Sequence, residues 1–163
     1  MKKFINIIAL FVLFFFDCRN KNADIKLKFN SISKLDFTLY NDVQIIKRND
    51  IYFVEINNQS YKIKKSFLSK SINIVNRDGK KNMSKELKAK IEKLLSFYDS
   101  IEVLSFRVDK VENVYLSIPW HDRCTYYFLR LAKGNTLDSI NKKNYSVFDG
   151  SWYFDKECSV AGF

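Results

Sequence analysis

Apolar and polar positions alternate with a period of two over most of the chain. Ile25, Leu27 and Phe29 alternate with Lys26 and Lys28, and Leu35, Phe37 and Leu39 repeat the pattern, which predicts half-buried strands. Val43 to Lys47 and Ile51 to Ile56 are β-branched and aromatic runs separated by the turn Arg48-Asn49-Asp50. Asn57-Asn58 predicts a tight hairpin turn, because asparagine tolerates positive φ. Gln59 to Lys65 then returns as the partner strand, with Tyr61 and Ile63 on one face. Ile72 to Val75 predicts a further short strand, followed by a turn at Asp78-Gly79.

The period changes after Ser84. Leu87, Ile91, Leu94, Leu95 and Tyr98 recur at helical spacing, with Ser84 (or Asn82) as the N-cap and Glu86–Lys90 as a favourably oriented i,i+4 pair. Lys85, Lys88 and Glu92 lie off that stripe. Strand-like runs resume at Ile101 to Val108, Val111 to Ile118, Cys124 to Ala132, Tyr145 to Phe148 and Ser151 to Asp155. Asp149-Gly150 is the strongest hairpin signal in the chain. Gly134 to Lys143 is a polar connection with a helical turn expected around Leu137 to Ile140. The order of strands, helix and strands predicts an α+β fold, a mainly antiparallel sheet with one amphipathic helix packed on one face.

The first eighteen residues follow a different rule. Lys2 and Lys3 precede an apolar run, Phe4 to Phe16, broken only by Asn6 and followed by Cys18. Thirteen residues are too few to cross a hydrocarbon core of about 30 Å, but they suit the core of an export signal. With a cysteine where the apolar run ends, the segment resembles a bacterial lipoprotein precursor. Phe15, Phe16 and Asp17 stand where that class carries a Leu-like residue and a small one. The resemblance implies lipidation of Cys18 and a membrane-anchored protein of the bacterial cell envelope, facing the periplasm or the cell surface. The expected organisation is a signal over 1–18, a short tether over 19–24, and a single α+β domain over 25–163.

Composition sharpens this in two respects. After Lys2, Lys3 and Asp17 go with the signal, 26 basic and 17 acidic residues remain, a net charge of +9. Fifteen Phe and nine Tyr against four Gly and one Pro argue for a packed core rather than disorder. The abundance of Lys, Asn, Ile and Phe matches an AT-rich genome, so the charge is weak support for nucleic-acid binding, and none is expected. Residues 61–100 hold eleven basic and four acidic residues. Lys80, Lys81, Lys85 and Lys88 there form a candidate basic surface for anionic headgroups, an acidic protein or another envelope partner.

In an exported chain, Cys124 and Cys158 are expected to pair, which leaves Cys18 for the anchor. Pro119-Trp120-His121-Asp122-Arg123 is the chemically densest loop and holds the one histidine. Residues adjacent in sequence rarely converge on one reacting atom, so a turn between strands is expected there rather than a catalytic or metal site. Most of the aromatic residues of the C-terminal half, Tyr115, Tyr126, Tyr127, Phe128 and Trp152 among them, are expected in the core. No phosphate loop, nucleophile elbow or metalloprotease motif is present in the sequence. The expected function is binding or structural, without catalysis or cofactor; the alternative is an immunity or inhibitor protein that neutralises a toxin or hydrolase in the envelope.

Overall fold

A computed structural model describes residues 21–65, 72–76, 84–120 and 123–158. The chain divides into two compact units, 1–35 and 36–163. In the first, helix α1 spans Lys21–Ser33. This corrects the strand expected at Ile25 to Phe29. Ile25, Phe29 and Ile32, spaced four and three apart, share one helical side, while Leu27 lies off it and is 67% exposed. The helix also takes in Lys21 to Asp24, within the segment expected to be a tether.

In the second unit nine strands, counted among the described residues, form one sheet in which every pairing is antiparallel. They are β1 (Val43–Arg48), β2 (Ile51–Ile56), β3 (Gln59–Lys65), β4 (Ile72–Asn76), β5 (Ser105–Val108), β6 (Val114–Pro119), β7 (Cys124–Arg130), β8 (Ser146–Asp149) and β9 (Trp152–Cys158). Their spatial order is β4-β3-β2-β1-β5-β6-β7-β9-β8. Helix α2, Lys85–Ile101, separates the two meanders in sequence. The fold is α+β with an antiparallel sheet.

Local chemistry accounts for the turns. Asn49 and Asp50 join β1 to β2, and Asn57 and Asn58 join β2 to β3, all four with positive φ. Two consecutive left-handed residues match the right-handed twist of the flanking strands. Ser84 caps α2 by accepting a hydrogen bond from the Leu87 N–H at 3.2 Å. The helix ends where Glu102 turns left-handed, at φ 50°.

Alternation then sorts the side chains by face. Val43, Ile45, Tyr52, Val54, Phe106, Leu116, Ile118, Tyr126, Phe128 and Trp152 are buried on one face. Ile91, Leu94, Leu95, Tyr98 and Ile101 are the buried stripe of α2. Tyr98 meets Tyr52 edge-on at 6.0 Å between ring centres and donates to the Leu104 carbonyl at 2.7 Å. Phe97 packs on Phe106 at 5.6 Å. Asp99 accepts from the Tyr52 hydroxyl at 2.8 Å and pairs with Lys65.

Leu35 to Leu39 corrects a second expected strand. Phe37 precedes a short 3₁₀ helix, Thr38–Tyr40, and is buried, while Leu39 is 67% exposed. Phe37 lies within 6.2 Å of Phe97, 5.9 Å of Phe106 and 6.0 Å of Trp152, with the Arg130 guanidinium 5.1 Å above its ring. That aromatic cluster outweighs the two-residue period. Around Leu137 to Ile140 the chain forms hydrogen-bonded turns, in one of which the Asn141 N–H donates to the Asp138 carbonyl at 3.1 Å.

Candidate functional site

The face of the sheet opposite Phe106 carries Gln44, Ser105, Arg107, Tyr115, Ser117, Tyr127 and Asp155. These are the intervening positions of β1, β5, β6, β7 and β9, so alternation alone places them there. Gln44 stands opposite Arg107 on the neighbouring strand, and Arg107 stands opposite Tyr115 on the next. One row across three strands therefore reads amide, guanidinium, phenol. Ser105 and Ser117, paired one row along, share a hydroxyl hydrogen bond of 2.5 Å.

Arg107 lies over the Tyr115 ring, 5.4 Å from its centre. The Tyr115 hydroxyl donates to Asp109 Oδ2 at 3.2 Å. Burial raises the Tyr115 pKa, the Asp109 charge and hydrogen bond add to the rise, and Arg107 opposes it. The neutral phenol is thereby held as a donor beneath a cation. Asp109 itself organises the β5–β6 loop, accepting from the Val111 and Asn113 backbone N–H groups at 3.1 and 2.9 Å and from Asn113 Nδ2 at 2.9 Å.

Asn113 is fully buried and joins this loop to the wall of the site. Its Oδ1 accepts from the Ala132 N–H at 2.8 Å and from Asn135 Nδ2 at 3.0 Å. The connection beyond is built from short turns. Thr136 and Ser139 exchange backbone-to-hydroxyl bonds, and the Lys142 N–H donates to the Leu137 carbonyl at 2.9 Å. Those turns bring Ile140 and Lys142 over the sheet. The result is a cavity of about 330 Å³ lined by Gln44, Ser105, Phe106, Arg107, Tyr115, Ile140 and Lys142. A second cavity, of about 440 Å³, shares Gln44 and Arg107 and extends past Asp42, Glu55, Asn58 and Asp109. Gln44 and Arg107 thus line both cavities; the first adds Lys142, and the second adds Asp42, Glu55, Asp109 and Lys110.

Tyrosines and acids continue along the same face. Tyr127 donates to Glu157 Oε2 at 3.1 Å, and burial followed by that bond raises its pKa. Burial, with Asp155 next, pushes Tyr145 up to about 12. Of the aromatic residues expected in the core, Tyr126, Phe128 and Trp152 are buried, while Tyr115 and Tyr127 are half-buried on this second face.

Cys124 and Cys158 are opposite one another in register on β7 and β9, with an S–S length of 2.09 Å and Cα atoms 4.0 Å apart. They form a disulfide. Lys85 and Lys88 are exposed in the first turns of α2. Cys18, Lys80, Lys81, His121 and Asp122 lie outside the described residues. Among the described residues no helix is long and apolar enough to cross a membrane. No group of three or more His, Cys, Asp or Glu side chains is placed there to hold a metal.

The groove escaped sequence reasoning because its residues come from β1, β5, β6 and the 134–143 connection, and no single stretch contains them. The available signal was the polar positions of the strands, Gln44, Ser105, Arg107 and Tyr115, which alternation sets on one face. Fold and groove together describe a disulfide-closed α+β domain with a polar, aromatic-walled cleft on its sheet. No family model, curated protein or solved structure matches the chain.

Proposed function

We propose that the protein is an extracytoplasmic domain of the bacterial envelope, tethered through a lipid on Cys18, that acts by binding and not by chemistry. The observation that carries this reading is the Cys124–Cys158 disulfide. Such bonds persist where the surroundings are oxidising and are rare where glutathione keeps thiols reduced. An export signal ending at Cys18 supplies the route and the anchor. With α2 covering the face that carries Tyr52 and Phe106, the opposite face and its groove are left for a ligand.

The test is the redox state of the pair in cells. Acid quenching of the native host, thiol alkylation and peptide mass spectrometry are expected to recover residues 124 and 158 linked. Recovery of both as alkylated thiols rejects the reading.

A second reading is supported by exposed Lys85 and Lys88 beside the positive N-terminal end of α2. It is an immunity or inhibitor protein docking on an acidic envelope toxin or hydrolase. Affinity capture with Lys85→Glu/Lys88→Glu as control separates the two readings. One stoichiometric toxin lost in the double variant favours the second, whereas envelope components retained by both forms favour the first.

A further inference from the structure

We infer that the cleft between Gln44, Arg107, Tyr115 and Lys142 is a recognition site for a small carboxylate-bearing ligand. This deepens the binding reading above and rests on it for the groove being a recognition surface.

The lining residues decide the ligand's charge. The cavity of about 330 Å³ holds two cationic side chains, Arg107 and Lys142, and none of its lining residues is acidic. Among the described residues no carboxylate forms an ion pair with either cation. Asp109, two residues on from Arg107, is occupied by two backbone N–H groups, the Asn113 amide and the Tyr115 hydroxyl.

Pre-organisation points to a carboxylate. The Arg107 guanidinium rests over Tyr115, and Tyr115 is fixed through Asp109, so the side chain is held before a ligand arrives. A planar guanidinium fork matches a planar carboxylate with two parallel hydrogen bonds, and holding it in place lowers the entropy lost on binding. Gln44, directly across from Arg107, adds an amide that donates to an oxygen or accepts from a hydroxyl. Lys142 lies 5.8 Å from the Tyr145 ring centre and completes the cationic end from the wall. The volume is at the lower end of ligand pockets, which suits a molecule the size of a sugar acid or a short dicarboxylic acid.

The neighbouring cavity refines the choice. It shares Gln44 and Arg107 and is lined also by Glu55, Asp42, Asn58 and Lys110. Glu55 and Arg107 flank Gln44 in one row, two strand spacings or about 10 Å apart at the backbone. Acids and an amide at that distance accept hydrogen bonds from hydroxyls, so a polyhydroxylated acid is expected to bind more tightly than a bare one.

The experiment titrates the full-length protein with glucuronate and glutarate, with inorganic phosphate as a second oxyanion and glucose as an uncharged control. NMR follows the Arg107 Nε–H and the Gln44 side-chain amide. Saturable shifts are expected with glucuronate by about 10 mM, weaker ones with glutarate, and none with glucose. Arg107→Gln and Lys142→Gln are each expected to weaken glucuronate binding about tenfold, and Arg107→Lys less, since it keeps the charge but loses the fork. Circular dichroism checks that each variant is folded. Should Arg107→Gln fail to fold, the Lys142→Gln titration decides.

The inference is overturned by no saturable binding of either carboxylate, by tighter binding of phosphate than of both, or by affinity unchanged in the folded variants. A reduced Cys124–Cys158 pair would remove the compartment reading and leave this titration untouched. A failed titration would likewise leave the disulfide and the anchor standing.

Discussion

Cys124 and Cys158 face each other across β7 and β9, Cα to Cα at 4.0 Å, and close a loop of sequence separation 34. The bond ties the strand that follows the Trp120 turn to the strand carrying Trp152, Asp155 and Glu157. Restricting the unfolded chain over a loop of that length contributes roughly 4 kcal/mol. Cys158 is the exposed partner and Cys124 the buried one, so Cys158→Ser removes the bond with little packing loss. Urea unfolding of that variant is expected to show a loss of about 2–4 kcal/mol, reproduced by adding reductant to the wild-type protein. Equal stability with and without the bond would contradict this.

Asn113 is expected to be the most costly polar residue to truncate. Its Oδ1 serves both Ala132 and Asn135, and its Nδ2 serves Asp109. Asn113→Ala leaves two part-buried donors without their acceptor and should destabilise the fold by about 1–2 kcal/mol. Because those bonds hold the connection carrying Ile140 and Lys142, the variant should also weaken glucuronate binding. Asn113→Ala with wild-type stability in denaturant titration would refute the role assigned to it.

Alkali is expected to destabilise the domain before any strand is mutated. Burial raises Tyr98 and Tyr145 to about 12, and burial followed by the Asp99 bond raises Tyr52 further. An unfolded tyrosine loses its proton near pH 10. The stability these phenols contribute is therefore complete below pH 10 and is lost as pH rises from 10 towards 12. Each adds to the slope in that window, with the half-buried Tyr145 contributing less than its shift implies because solvent screens it. Tyr145→Phe should flatten the decline between pH 10 and 11 while leaving stability at pH 7 within about 1 kcal/mol. Urea midpoints at pH 7, 10 and 11 measure this, and parallel curves for the two proteins would count against it.

The sequence made the hairpins and α2 legible because their signals are local. Asn57-Asn58 and Arg48-Asn49-Asp50 mark turns by positive-φ tolerance, and Ser84 with the stripe Ile91, Leu94, Leu95 and Tyr98 marks a capped helix. Ile25 to Phe29 misled because alternate positions over five residues fit a strand, whereas Ile25, Phe29 and Ile32 also fit a helix turn by turn. Short apolar runs carry both periods, and only the extent of the element decides between them. Phe37 misled for another reason. Its place beside Phe97, Phe106 and Trp152 depends on residues more than fifty positions away, which no local pattern records.

Cysteine arithmetic reached the disulfide, since two thiols beyond Cys18 have one pairing available. The groove was out of reach because the order β1-β5-β6 brings Gln44 beside Arg107 across more than sixty residues, with α2 in the intervening sequence. Lys85 and Lys88 are exposed and lie off the buried stripe of α2, as their helical spacing dictates.

The anchor at Cys18 is the claim on which the account most depends, and metabolic labelling with a clickable fatty acid tests it most directly. The wild-type protein expressed in a bacterium is expected to carry the label and to fractionate with membranes, and Cys18→Ala is expected to lose the label. A wild-type protein without label, or label that survives Cys18→Ala, would contradict the account.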